Sequence, residues 1–317
     1  MLVNILRSIF RSKKKNACNT LFIHIGAGKT GTTAIQHYCL HNANYHNFVY
    51  PKSCIKGYGH HSLAGSYTNE KEFKIQLGKM QKELHRLQFQ NKDVFISSEE
   101  FVFMPELYIA MLAKSLNSLK FKIKIIYSYR NQIDSIKSHY FEEIYQGRKF
   151  IGHKGMERMM YIGEIDEYFD YHADSFNNLK RISSWAKVFG KKNITTFLYD
   201  KAHFNTNVLK AFLKIIDPNN TIESSKNKVI HHSLDSKFIK ILKDLDKLEI
   251  EFETRDKIAR LLKDISKGDN KDILSLELKN KILATYKDSN KVFLDGFVSD
   301  KDQYKIFERY NLSKPYK

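Results

Sequence analysis

The chain has little proline (4 residues), little cysteine (3) and one tryptophan, and its 14 glycines form no repeat across 317 residues. So little Pro and Gly argues against collagen-like, mucin-like and flexible-linker chains. The cysteines, Cys18, Cys39 and Cys54, are odd in number and crowd toward the N-terminus. That is no disulfide framework for a chain of this length, and it points to a reducing cytosol. No run approaches the ~20 apolar residues that span a bilayer, which argues against an integral membrane protein. Acid is scarce relative to base: 35 Asp+Glu stand against 53 Lys+Arg, a formal charge of +18. Core material is plentiful, with 42% hydrophobic and 13% aromatic residues, so wholesale disorder is excluded despite the charge.

Residues 1–19 read as a basic leader. Met1 to Phe10 is mildly apolar and is followed by Arg11, Lys13, Lys14 and Lys15, the reverse of the order in a secretory signal. As a helix, Leu2, Ile5, Leu6, Ile9 and Phe10 share one face, which suits peripheral contact of residues 1–15 with an anionic membrane. A solvated leader is the alternative. The expected location is cytoplasmic, with this contact at the inner membrane surface.

Apolar, β-branched and aromatic runs at Thr20 to Ile25, Asp93 to Ser97, Phe121 to Ser128 and Ile194 to Tyr199 alternate with helix-length segments. That alternation predicts an α/β fold, a P-loop-like doubly wound parallel sheet flanked by helices, over residues 20–230. Asp217-Pro218-Asn219-Asn220 is the clearest break. Beyond it, Leu234, Phe238, Ile241, Leu242, Leu245 and Leu248 recur at helical spacing, and residues 231–317 read as a helical C-terminal portion packed on the same domain.

The most informative segment is Thr20 to Thr33, TLFIHIGAGKTGTT, where an apolar strand enters a glycine turn and then a helical stretch. Such a loop aims backbone N–H groups and a helix N-terminus at one spot, a ready anion site. Gly26 and Gly31 have the spacing of the Walker A pattern G-x-x-x-x-G-K-[ST], but Thr32 stands where its lysine belongs and the lysine lies upstream, at Lys29. That displacement, with no apolar strand ending in an evident metal-binding Asp, disfavours a magnesium-dependent NTPase.

Gly26 to Thr33 resembles, without a gap, the G-x-x-K-T-G-T-T loop of sulfotransferases that use 3′-phosphoadenosine 5′-phosphosulfate (PAPS). The resemblance implies that Gly28, Lys29, Thr30, Gly31, Thr32 and Thr33 hold the 5′-phosphosulfate, with Lys29 stabilising the leaving phosphate as PAPS becomes 3′,5′-adenosine diphosphate (PAP). A fixed ammonium and aligned N–H donors suit the charge that builds on that oxygen. The family's second signature, an arginine ending a strand and a serine eight residues later, both on the 3′-phosphate, is similar to Arg130 and Ser138. Guanidinium and hydroxyl together distinguish a 3′-phosphorylated nucleotide from its plain counterpart.

In that fold the strand preceding the arginine strand delivers the base that takes the acceptor's proton. By position the role falls to Glu99 in Asp93 to Phe101, DVFISSEEF, with Glu100 as its rival and capping or an outward ion pair as the plainer fate of Glu100. Gly59-His60-His61-Ser62 is a competing source, with His61 as base and His60 and His61 as candidates for the substrate pocket. A metal at the two histidines lacks further ligands nearby, and none is expected. The stretch from Trp185 to Gly190, followed by a strand ending in Tyr199-Asp200, is similar to another family feature and makes Tyr199 a nucleotide contact. Trp185 is expected in the core. The family's C-terminal basic loop on the 3′-phosphate has no clear counterpart here.

The stretch from Tyr140 to Asn178 is expected to vary with the acceptor and close over it, with Tyr140, Glu142 and Glu143 facing it. The resemblance spans roughly residues 20 to 200 and, weakly, Tyr286 to Asn290, where it is to bacterial members. It implies transfer of the sulfuryl group to a hydroxyl, or an amine, of a carbohydrate or glycolipid. A Lys-, Asn- and Ile-rich composition fits a bacterial source with an AT-rich genome. A P-loop kinase of a nucleoside or small metabolite is the first rival reading. The second is a non-enzymatic polyanion or nucleic-acid binder, suggested only by charge; the charge is better read as a basic shell for a doubly phosphorylated nucleotide and a polyanionic acceptor, with no nucleic acid.

Overall fold

The computed structural model describes residues 18–147, 163–200, 203, 208–219, 234–248, 250–267 and 273–311. The proposed membrane-facing helix of the leader, and residues 148–162 of the expected acceptor segment, lie outside these. Among the described residues, strands β1 (Thr20–His24), β2 (Phe48–Val49), β3 (Asp93–Ser97), β4 (Lys122–Tyr129) and β5 (Ile194–Leu198) form one sheet in the order β2-β3-β1-β4-β5. Every neighbouring pair is parallel. The expected doubly wound α/β class is what forms.

The strands are apolar on both faces because both are covered, as a parallel sheet requires. Side chains alternate accordingly. Leu21, Ile23, Val94, Ile96, Ile125, Tyr127 and Tyr129 enter one core with Trp185, Phe293 and Phe307. Phe95, Ile126 and Phe197 enter the core on the opposite face with Ile35, Cys39 and Phe212. Trp185 is fully buried and donates its indole N–H to the Phe101 carbonyl at 3.3 Å, so its core role holds.

The helices are α1 (Thr32–Asn42), the single turn α2 (His61–Ala64), α3 (Glu70–Leu87), α4 (Glu106–Leu116), α5 (Gln132–Gln146), α6 (Ile165–His172) and α7 (Asn178–Phe189). After β5 follow α8 (Val208–Ile216), α9 (Ser236–Lys247), α10 (Phe252–Asp264), α11 (Leu276–Phe297) and α12 (Lys301–Asn311). None of these helices is long and apolar enough to cross a membrane.

The C-terminal helices complete the sheet domain. Gln303 accepts the Leu198 N–H at 2.7 Å, and Thr196 donates to the Phe297 carbonyl at 3.1 Å, so α11 and α12 cover the β5 edge. A further core joins Ile136, Tyr140, Phe141 and Ile144 of α5 to Phe238, Leu242, Ile282 and Tyr286. Along α9 the buried face runs through Phe238, Ile239 and Leu242, whereas Ile241 is 44% exposed. The expected stripe was therefore rotated by one neighbour.

Because all strands are parallel, their carboxyl ends share one edge, where ligands of open α/β sheets bind. His24, Ser97, Tyr129 and Leu198 end four strands there, and the loop at 25–31, Ser98-Glu99, Arg130 and Tyr199 follow them directly.

Candidate functional site

The loop after β1 is shaped by its backbone. Lys29 has φ 64° and Gly31 has φ 77°. A left-handed conformation at lysine costs about 1 kcal/mol and marks a turn held by its surroundings. At Gly31 a side chain is disfavoured on two counts, the positive φ and an added Cβ that would lie 2.8 Å from Cε2 of Tyr199. Thr30 is fully buried and ties the turn by donating to the Ala27 carbonyl at 2.6 Å. None of the backbone N–H groups from Gly28 through Thr33 donates to another described residue. The loop thus offers an anion a row of donors at the N-terminus of α1.

Lys29 is half-buried, and its Nζ lies 2.8 Å from Oε2 of Glu142 on α5. Burial works to raise the Glu142 carboxyl, but the charge and hydrogen bond of Lys29, helped by Gln146 and Lys263, hold it down at about 2. The Glu142 carboxylate is therefore ionised at neutral pH. Arg130 meets the same turn: its Nη1 is 3.5 Å from the Lys29 carbonyl, its Nη2 is 3.4 Å from Asp134, and its guanidinium lies 5.6 Å from the centre of the Tyr199 ring. Both polar contacts are long, so the planar fork retains donors for a ligand. Tyr199 is fixed by its own N–H, which donates to the Tyr129 carbonyl at 2.7 Å. Lys29, Gly31, Arg130 and Tyr199 are thereby brought together. Ser138 is half-buried on α5 one turn beyond Asp134, on the helix face that carries the partner of Arg130.

The carboxylate corner is built from side chains. Ser98 caps the 3-10 turn Glu99–Phe103 by accepting the Glu100 N–H at 3.2 Å. Gln36 of α1 donates to Glu99 at 2.7 Å and to Ser97 at 3.2 Å, tying the candidate base to the helix that opens at the loop. His61 is 2.8 Å from the Ser98 hydroxyl, 3.8 Å from Glu99 and 3.9 Å from Glu100. Glu99, Glu100 and His61 thus form one cluster, with Glu100 the more exposed carboxylate.

His60 and Tyr140 are corrections. His60 is fully buried; its Nδ1 accepts the Ser97 N–H at 3.1 Å and its Nε2–H donates to the Pro51 carbonyl at 3.1 Å. Burial pushes its pKa down to about 4 against the effect of those two bonds. With both nitrogens engaged by backbone, His60 holds the turn and has no edge for substrate or metal. Tyr140 is buried in the core between α5 and the C-terminal helices, donating to the Gly163 carbonyl at 2.9 Å. Glu143 lies 3.4 Å from the Tyr168 hydroxyl, on the way to that core, while Glu142 faces the loop.

Four residues were missed by sequence reasoning. His24, fully buried under Gly26, bridges Ser97 at 2.9 Å and Ser128 at 2.8 Å, and burial pushes its pKa down to about 3. A lone imidazole inside TLFIHIG was the available signal. Gln36 is the second. His139 of α5 donates from Nδ1 to the Ser135 carbonyl, and its Nε2 sits 3.0 Å from where a Cβ on Gly28 would be. Arg181 of α7, the fourth, is buried beside the Phe103 and Phe176 rings. Among the described residues, no group of three or more His, Cys, Asp or Glu is placed to hold a metal ion.

No protein-family model matches the chain, and no curated protein matches it. Among solved structures, one similar chain is a sulfotransferase from Alicyclobacillus acidocaldarius, at 13% identity and TM-score 0.41, covering 91% of this chain and 99% of that one. Another comes from the PezAT chromosomal toxin-antitoxin system of Streptococcus pneumoniae, at 14% identity and TM-score 0.31, covering 81% and 94%. Similarity at this level says nothing about activity.

Proposed function

We propose that the protein is a sulfotransferase that moves the sulfuryl group of PAPS to a hydroxyl, or an amine, of a carbohydrate or glycolipid acceptor and releases PAP. What carries this reading is one arrangement at the carboxyl edge of the sheet: the unengaged N–H groups from Gly28 to Thr33, with Lys29 among them and Arg130 and Tyr199 against the same turn. Oxyanion recognition at two points, one of them through a planar guanidinium, suits a nucleotide phosphorylated at both ends.

The donor contributes an activated sulfuryl group, whose bond to the phosphate oxygen breaks as the acceptor oxygen bonds to sulfur. The loop donors and Lys29 stabilise negative charge on the departing phosphate. Glu142 holds the Lys29 ammonium at the loop until a ligand oxyanion competes for it. Arg130 and Ser138 take the 3′-phosphate, and Tyr199 offers the nucleotide an aromatic face already beside Gly31. Glu99 receives the acceptor's proton on a carboxylate oxygen, oriented by the amide of Gln36, and His61 is the next base in reach. A phosphotransfer enzyme of Walker A type would place a lysine where Thr32 stands.

The test is transfer from PAPS into a mixed panel of glycans and glycolipids, read as PAP release and as the mass gain of a sulfuryl group. Release coupled to a sulfated product and lowered about 10²- to 10³-fold in Lys29→Ala supports the proposal. Phosphate transfer from ATP and magnesium to a nucleoside or small metabolite, with no sulfated product from PAPS, overturns it.

A further inference from the structure

Helix α7 leads into β5, so its N-terminal end lies at the carboxyl edge of the sheet, where Asn178 is its first residue and Arg181 its fourth. Both face inward: Asn178 is 2% exposed and Arg181 8%. Arg181 lies by two aromatic rings, its guanidinium carbon 5.8 Å from the centre of Phe103 and 5.6 Å from that of Phe176. These rings fix its place relative to the site. Phe103 ends the turn that begins with Glu99, and Phe176 is also packed by His139, the residue against Gly28 of the loop. Arg181 therefore sits between the carboxylate corner and the loop that carries Lys29.

A buried guanidinium ordinarily meets a carboxylate. Among the described residues none forms an ion pair with Arg181; its guanidinium meets the Tyr127 hydroxyl, while its Nε is buried without an acceptor. One turn away, the Tyr127 hydroxyl donates to Oδ1 of Asn178 at 2.7 Å, which leaves Nδ2 of Asn178 buried without an acceptor as well. Two donors on one helix face, one of them cationic, lack the same thing. An unmet buried donor is costly, and an oxyanion brought to this helix face would supply the missing acceptor.

We propose that Arg181 and Asn178 form a subsite for an acidic group of the acceptor, the carboxylate or sulfate of an acidic carbohydrate. The assignment rests on the sulfotransferase reading for its acceptor and deepens it, since it names the substrate class. It also gives the basic excess of the chain, 53 Lys+Arg against 35 Asp+Glu, a partner of opposite sign at the site itself. Phe103 and Phe176 flank the guanidinium and keep water from competing for the ion.

The experiment compares oligosaccharides that carry a uronate, the same sugars with the uronate reduced to the neutral alcohol, and the same neutral sugars bearing a sulfate ester. With PAPS as donor, the wild-type protein should favour the acidic members in kcat/KM by about 10- to 100-fold, and Arg181→Gln should collapse that ratio toward one. The uronate and sulfate arms report which oxyanion is preferred. A second measurement needs neither turnover, donor nor a variant's stability: the Arg181 Nε–H signal of the wild-type protein, observed by NMR, should shift on adding the uronate sugar and not its neutral counterpart. Turnover without acid preference, or an acid preference intact in Arg181→Gln, overturns the subsite and leaves the donor reading standing. No PAPS turnover with any member overturns the donor reading, and the Nε–H signal then decides the subsite alone.

Discussion

The two corners of the site are made differently. The loop corner is main chain: a row of N–H groups, a lysine at φ 64° and a glycine at φ 77°. The carboxylate corner is side chain: Gln36 from α1, His61 from α2 and Glu99 from the turn after β3, held by hydrogen bonds to one another and to Ser97 and Ser98. Main-chain donors stay where the turn puts them, whereas side-chain donors depend on each partner. The loop corner suits a fixed anionic ligand, and the carboxylate corner suits a group that gains and loses a proton.

The difference is open to test. Glu99→Gln should reduce kcat with PAPS by about 10²- to 10⁴-fold and leave PAP affinity within about twofold, measured by steady-state kinetics beside calorimetry. Full turnover in that variant, with loss in His61→Asn, would move the base to His61. Lys29→Ala should lower kcat/KM by about 10²- to 10³-fold, because it removes the fixed charge at the leaving group. If it behaves like Glu99→Gln and spares PAP binding, the division between the corners is wrong. Arg130→Ala should weaken PAP about 10- to 100-fold and barely change binding of a nucleotide without the 3′-phosphate.

A separate effect, on stability and not on turnover, concerns the scaffold beneath both corners. His24 and His60 are buried and neutral, with pKa values of about 3 and 4 against 6.5 when unfolded. The unfolded chain therefore binds these protons first, so stability is whole above pH 6.5 and is lost as pH falls toward about 4 for His60 and about 3 for His24. Urea unfolding across that window should show a slope approaching about 2.7 kcal/mol per pH unit from the pair, and His24→Gln should remove about half of it. A flat profile would show that neither ring is held neutral.

Legibility in the sequence followed the same division. Contiguous features were readable: the loop, the apolar runs that became β1, β3, β4 and β5, and Arg130 and Tyr199 at strand ends. β2, two residues long, has too little pattern to read. Features assembled across the chain were not readable, because the crossovers bring Gln36 to Glu99, His24 to Ser128 and Arg181 to Phe103. Adjacent residues even parted company: His60 turned to backbone and His61 to two carboxylates. Tyr140 was the avoidable error, since Ile136, Tyr140, Phe141 and Ile144 already describe one buried helical face.

Under the proposed function, the edge of the sheet around Lys29 and Arg130 receives a nucleotide phosphorylated at both the 3′ and 5′ positions. Calorimetric titration of the wild-type protein with PAP, 5′-AMP and ATP with magnesium tests it most directly. PAP should bind at least about tenfold more tightly than either of the others, and Arg130→Ala should remove the advantage over 5′-AMP. Tight binding of ATP with magnesium, with no preference for the 3′-phosphate, would contradict it.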